Sequence, residues 1–558
     1  MTRHSTYVVL AVALLLAAAP IAGVAQTGDL PSIDATGDDT LTATALDRPD
    51  ATIERFGHPS WVVQLENTSD AASLRDWANS SDNRHLIDDV DATGYAVVAA
   101  PAAEIGAVEL FRWDGLMPSV NTAALFSDGL AERSYVASIE PELAVSYPEP
   151  PELRSNASYS EPDATWLLRS HDGTDTVFSA DGIAWSEDTE RSTLADARQA
   201  TGVDEVSATG DGITVAVIDT GTSVGDGQVF GNGTAGSTLR IHSDSKSFVT
   251  NESVSPATDN YSAIDDDGGH GSWVSAAIAA NTSNDTRDGM APDATLLVLQ
   301  ALDPSDGSGD SYDIARAIRY AADRDADVIS MSLGSAVYTQ TIAAAVQNAT
   351  EQGSVVVIAT GNSRFRGQQF VASPADTPGP TIAVGAANMS QNGSQALPAH
   401  FSQVGPDNGA TDASTGVTTG ESVTVVAPGM RIGAPVLSST GTVQTSVLSG
   451  TSMATPLVAG AVAQLLAAEP SLQGNPAAVK ARLTGTARRM PAASAAAVGH
   501  GHVAVDRAVA NTTAEQTQRE AMTADAQARD AGVRALSDAS GGMLFRLAGG
   551  GYDDEEAA

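Results

Sequence analysis

The chain contains no cysteine. That absence excludes disulfide bonds, thiolate catalysis and cysteine-ligated zinc together. It does not assign a compartment, because some secreted proteins use no disulfides. Lysine is almost missing as well: Lys246 and Lys480 are the only two. Set against 69 acidic residues, the 29 basic ones leave a formal net charge of −40. The acid is spread along the whole chain and not gathered in one tail. Nucleic acid and anionic membrane are therefore poor partners. A diffuse acidic, lysine-poor surface suits a protein that stays soluble in concentrated salt, where screening suppresses self-repulsion.

What is present is enough for a folded protein of several pieces. A length of 558 residues exceeds one ordinary domain, and a hydrophobic content of 42% supports a sizeable core. Residues 1–25 read as a Sec-type signal peptide. Arg3 and His4 precede an apolar run from Tyr7 to Ala19, and Gly23-Val24-Ala25 offers small residues for cleavage. The run is short for a membrane span, so an uncleaved anchor is the second choice and no stable span is expected. Residues 26–55 read as a linker. Residues 56–147 read as a small α+β domain: strands at Trp61–Leu65, Tyr95–Ala99 and Tyr135–Pro141, with helices at Ala71–Trp77 and Ala102–Phe111. A connector at 148–204 follows, with helical hints near Ser192–Thr201, and residues 512–558 form a tail.

Residues 205–511 have a different texture. Apolar runs at Val215–Ile218, Leu296–Leu299, Val328–Met331, Val355–Ala359, Thr381–Val384 and Val423–Val426 read as buried strands. Between or after them lie helical stretches near 271–280, 311–324, 339–352, 452–468 and 476–485. Continuous apolar strands separated by helices predict an α/β fold: a doubly wound, mostly parallel sheet with helices on both faces. Such sheets bind ligands at the carboxyl ends of their strands.

The polar residues collect at that edge. Asp219 ends the first strand, and Thr360-Gly361-Asn362 follows the strand Val355–Ala359. His270 opens an apolar helix, the only one of nine histidines to do so in this core. Ser452 sits at the start of another, where free backbone N–H groups face whatever it attacks. A serine there is also an ordinary helix cap, so the other three residues decide. Ser452 needs a base, and His270 can take its proton near neutral pH. Asp219 would fix the imidazole tautomer. Asn362 would offer its amide to a developing oxyanion, beside the Ser452 backbone N–H.

These residues stand in the segments Val-Ile-Asp-Thr-Gly, His-Gly-Ser, Thr-Gly-Asn and Gly-Thr-Ser-Met-Ala-Thr-Pro, in the order Asp, His, Asn, Ser. The set resembles the subtilisin family of serine endopeptidases, and the order separates it from chymotrypsin-like and α/β-hydrolase enzymes. Ser452 does not stand in a Gly-x-Ser-x-Gly elbow, since Ala454 occupies the place of the second glycine, which disfavours an esterase. The resemblance implies a catalytic set of Asp219, His270, Ser452 and Asn362, and a Ser332-Leu333-Gly334 segment that pairs with extended substrate. It implies polypeptide substrates, no cofactor for the chemistry, structural calcium at unassigned sites, and a monomer. It also implies that residues 56–147 are a propeptide, chaperone and inhibitor of the same chain, whose tail blocks the cleft until cut. The acidic, lysine-poor composition resembles that of haloarchaeal proteins. The expectation is a secreted, salt-adapted zymogen. The alternative is an inactive subtilisin-like domain that only binds extended peptides.

Several positions depart from the family pattern. Trp273 stands where a second histidine is frequent, Ser275-Ala276 replaces a small residue plus glycine, Thr222 replaces an apolar residue, and Leu457 replaces a histidine. Asp265-Asp266-Asp267 could ligate calcium or form a solvated acidic loop. Asn67, Asn156, Asn232, Asn281 and Asn348 open glycosylation sequons.

Overall fold

The computed structural model describes residues 53–148 and 183–512, apart from short stretches at 106, 115–116, 125–128, 185–188, 225–236, 259, 283–286, 336, 365–370, 390–395, 406–409, 412–417, 420–422, 438–442, 492 and 494. The signal-peptide, linker (to residue 52) and tail (from 513) assignments lie outside the described residues. So do most of the connector and the sequons at Asn156 and Asn232.

The N-terminal part is an antiparallel sheet with one helix packed on it. Its main strands are β1 (His58–Leu65), β2 (His85–Asp88), β3 (Tyr95–Ala99) and β4 (Val136–Pro141), in the order β4-β1-β3-β2. A fifth, two-residue strand at Glu54–Arg55, within the stretch read as linker, pairs with the start of β1. Helix α1 (Ala71–Ala78) buries Leu74 and Trp77 against Trp61, Val63, Ala96 and Val98 of one sheet face. Alternation along β1 and β3 fixes that face. One sequence expectation fails here. The helix expected over Ala102–Phe111 ends at Ile105, and Ala107–Asp114 forms a hairpin with Met117–Ala124. Asp114-Gly115 is a hairpin-turn signal, and eight paired residues on each side outweigh the helical propensity of the Ala-rich start.

The second part is the doubly wound sheet. Strands β6 (Thr214–Asp219), β7 (Thr295–Gln300), β9 (Val328–Met331), β10 (Val355–Ala359), β11 (Ile382–Ala387) and β12 (Val425–Pro428) run parallel in the order β7-β6-β9-β10-β11-β12. Short strands at Arg240–Ile241 and Lys246–Ser247 extend the β7 edge. Alternate residues of one strand serve the two faces. Val215 and Val217 of β6 join helices α3 (His270–Ala279) and α6 (Thr451–Ala468) on one side. Ala216 and Ile218 join α4 (Ser311–Ala322) and α5 (Gln340–Glu351) on the other. Both faces are covered, which is why the strands read as unbroken apolar runs.

Helix α6 is apolar all round, and nearly all of it lies inside the protein. Among the described residues it is the one helix long and apolar enough to cross a membrane, and its position is that of a core helix. Helix α2 (Leu194–Thr201) explains the hints near Ser192: Thr193 and Asp196 form a capping box, and Gly202 closes the helix in a left-handed conformation.

The two parts touch closely. Tyr312 of α4 is buried against Val62, Tyr95 and Val97 on the second face of the N-terminal sheet. Glu140 of β4 accepts the N–H groups of Gln340 at 2.9 Å and Thr341 at 2.7 Å, so it caps α5 from outside. After β4, the strand β5 (Ala144–Ser146) pairs with β8 (Ser308–Asp310) of the second part.

Candidate active site

Asp219 closes β6 with 1% of its surface exposed. A buried carboxylate needs partners. The Thr220 N–H donates to its Oδ1 at 2.7 Å, and His270 Nδ1 lies 2.7 Å from the same oxygen. His270 is the first residue of α3, and it is held there by two contacts. Asp266 accepts the N–H groups of Gly269 at 3.0 Å and Ser272 at 2.7 Å, and thereby anchors the helix start. Gly271 lets α3 approach the strand end, since a Cβ there would stand 2.2 Å from the Gly221 carbonyl oxygen. Gln300, at the end of β7, ties the turn together by donating to the carbonyls of Thr220 and Asp265, both at 2.8 Å.

Ser452 is the second residue of α6 and is 2% exposed. Its hydroxyl donates to the Ser332 carbonyl at 3.4 Å, and no hydrogen bond joins it to His270. The Ser332 hydroxyl in turn donates to the Ser452 carbonyl at 2.9 Å. Asn362 follows β10. Its Oδ1 accepts the Thr451 N–H at 2.9 Å and the Thr451 hydroxyl at 3.0 Å, which aims the Nδ2 amide outward. That amide lies 3.4 Å from the Pro148 carbonyl oxygen.

The structure therefore brings Asp219 and His270 into contact. It sets Ser452 beside Ser332, and it orients Asn362 through Thr451. Gly334 pairs backbone to backbone with Ser146, while Leu333 is fully buried. Sequence reading did not single out Asp266 as a helix anchor, Gln300 as a tie, Thr451 as the partner of Asn362, or the Ser332 hydroxyl. Thr451, Ser332 and Asp266 lay in segments already singled out, though not for these roles, and Gln300 carried no local signal.

Two departures from the family pattern compensate each other. The Thr222 and Ser275 hydroxyls are buried and hydrogen-bonded at 2.6 Å. Trp273 is wholly buried and donates its indole N–H to the Ser446 carbonyl at 3.0 Å. Among the described residues no group of three or more His, Asp or Glu is arranged to hold a metal ion. Asp266 spends its carboxylate on the α3 N–H groups, while Asp265 and Asp267 are exposed. Asn67 and Asn348 are exposed, whereas the Asn281 amide donates to the Pro292 carbonyl at 3.3 Å.

The subtilase family matches residues 210–516, more than half of the chain. This chain belongs to the subtilase family. Its doubly wound part is accordingly that of a subtilisin-like serine endopeptidase. Thermitase of Thermoactinomyces vulgaris is 34% identical over 284 residues, covering 51% of this chain and 84% of thermitase. Subtilisin Savinase of Lederbergia lenta is 34% identical over 263 residues, covering 47% of this chain and 79% of that protein. The thermophilic serine proteinase of Bacillus sp. (strain AK1) is 41% identical over 201 residues, 36% of this subtilase and 43% of that protein. The crystal structure of fervidolysin from Fervidobacterium pennivorans, a keratinolytic enzyme related to subtilisin, superposes with a TM-score of 0.55 at 20% identity. That match covers 84% of this subtilase and 64% of fervidolysin, and at such identity it speaks for the fold alone.

Proposed function

We propose that this subtilase is a secreted, salt-adapted endopeptidase made as a zymogen that processes itself. Ser452 attacks a peptide carbonyl, with His270 as base and then acid and Asp219 orienting the imidazole. The Asn362 amide and the Ser452 backbone N–H hold the oxyanion, and water then hydrolyses the acyl-enzyme. Residues 56–147 act as the inhibitory propeptide domain. The chemistry takes no cofactor, the substrates are polypeptides, and the processed enzyme is a monomer. Calcium, if bound, is structural.

The observation that carries this reading is the Asp219–His270 pair at 2.7 Å in a cleft that also contains the Asn362 amide and an extended strand of the protein's own chain. In that occupied cleft Ser452 points to Ser332. Catalytic hydrogen bonds often tighten only in the productive complex. The composition supports salt adaptation and the first 25 residues support export.

The test is labelling by a serine-directed phosphonate, with intact masses of secreted wild type and Ser452→Ala in concentrated salt. Wild type alone should label and should lose its N-terminal part. Absence of labelling in a chain freed of that part would leave a peptide-binding module instead.

A further inference from the structure

Strand β5 lies between two neighbours. On one side Ala144, Val145 and Ser146 pair antiparallel with Asp310, Gly309 and Ser308. On the other, Ser146 bridges antiparallel to Gly334, whose N–H donates to the Ser146 carbonyl at 2.9 Å. The extended chain continues through Tyr147, whose N–H reaches the Gly307 carbonyl at 3.2 Å. The Tyr147 ring stacks on the His270 imidazole, centroids 4.2 Å apart and planes 10° apart. Gly307 makes room for it, because a Cβ there would meet the ring at 2.0 Å. Moving two residues on from the Ser146–Gly334 pair brings Pro148 opposite Ser332. The Pro148 carbonyl is the one that reaches the Asn362 amide, at 3.4 Å.

We propose that the bond between Pro148 and Glu149 is the one this subtilase cuts in itself, and that Pro148 slows the cut. The inference rests on the zymogen reading above and adds to it the site of processing. Ser452 Oγ bonds to the Pro148 carbonyl carbon while its proton passes to His270. The carbon–nitrogen bond to Glu149 breaks, and His270 gives the proton to that nitrogen, which becomes a new amino terminus. Water then adds to the Pro148 ester carbon, its proton passes to His270, and the Ser452 oxygen leaves and takes it up. The products are a domain ending in the Pro148 carboxylate and a chain beginning at Glu149.

The brake follows from the register. A residue opposite Ser332 would donate its N–H to the Ser332 carbonyl, but proline has none. That carbonyl instead accepts the Ser452 hydroxyl. A hydroxyl held there is turned away from its base. A residue with an N–H at position 148 competes for the same carbonyl and frees the nucleophile.

Full-length wild type, Ser452→Ala and Pro148→Ala are incubated in concentrated salt. The released N-terminal fragment is sequenced at its carboxyl end by mass spectrometry at early times. The wild-type fragment should end at Pro148, Ser452→Ala should release none, and Pro148→Ala should release a fragment of the same length several-fold faster. A Ser452-dependent fragment ending elsewhere overturns the assignment and leaves the zymogen reading standing. No release from wild type, or equal release from Ser452→Ala, overturns both. An unchanged or slower rate in Pro148→Ala overturns the brake.

Discussion

Removing the Ser332 hydroxyl should cost stability, and a proline elsewhere sets how much. In an α-helix the carbonyl of residue i accepts from the N–H of residue i+4. Four residues after Ser452 stands Pro456, inside α6, with no N–H to give. The Ser332 hydroxyl supplies the missing donor at 2.9 Å, and both residues are buried. Ser332→Ala then strands a buried carbonyl, which costs about 1–3 kcal/mol. Pro456→Ala restores an N–H in register with that carbonyl. In the Pro456→Ala background the cost of Ser332→Ala should shrink by at least about 1 kcal/mol, well above the roughly 0.3–0.5 kcal/mol scatter of independent sites. The assay is unfolding of the four combinations in concentrated salt, each carrying His270→Ala to prevent self-digestion. Equal costs in the two backgrounds would refute the argument.

Three further outcomes are expected. Asp219→Asn should lower kcat on the order of 10³–10⁴-fold with little change in KM, since the Nδ1 contact at 2.7 Å sets the imidazole tautomer; a loss below tenfold in steady-state peptide hydrolysis would count against that role. Glu140→Ala removes the two hydrogen bonds that cap α5 and should weaken retention of the cut N-terminal domain by about 2 kcal/mol, roughly 30-fold, by size-exclusion co-elution; unaltered retention would show that the caps do not hold the domain. The third concerns Glu142, which is 1% exposed and whose pKa burial pushes up to about 8 from an ordinary 4.5. Arg55, 3.2 Å away, opposes the rise, while Asp310, Asp313 and Asp88 reinforce it. Its contribution is complete below pH 4.5 and is lost as pH rises through about 8. In uncut Ser452→Ala protein Glu142 should account for up to about 1.4 kcal/mol of the stability lost per pH unit inside that window, beside Asp376 and Asp313, whose carboxyls burial also pushes up, to about 7 and about 6. Glu142→Gln should flatten the profile, and a profile of the same slope in both proteins would assign the pH dependence elsewhere.

Much of the fold was legible because its signals are local. Strands β9 and β10 fall where the sequence expectation put them, residue for residue, and α3, α4, α5 and α6 within one or two residues at either end. An unbroken apolar run has few alternatives to a doubly covered strand. The hairpin at 107–124 was missed because its Ala-rich start reads as helix, and the Asp114-Gly115 turn signal gains weight only once the partner strand is known.

The sequence by itself determined the sheet and the edge at which Asp219, His270, Asn362 and Ser452 must gather. Polar residues at the ends of buried strands and the starts of buried helices have no other place to go. Only tertiary structure decided what those residues touch. Asn362 meets Thr451, Ser332 meets the carbonyl that Pro456 leaves without a helical donor, Asp266 is spent on a helix start, and Pro148 reaches the Asn362 amide. Each of those contacts but the Asp266 cap joins segments far apart in the chain. Each depends on register and burial, which no window of sequence contains.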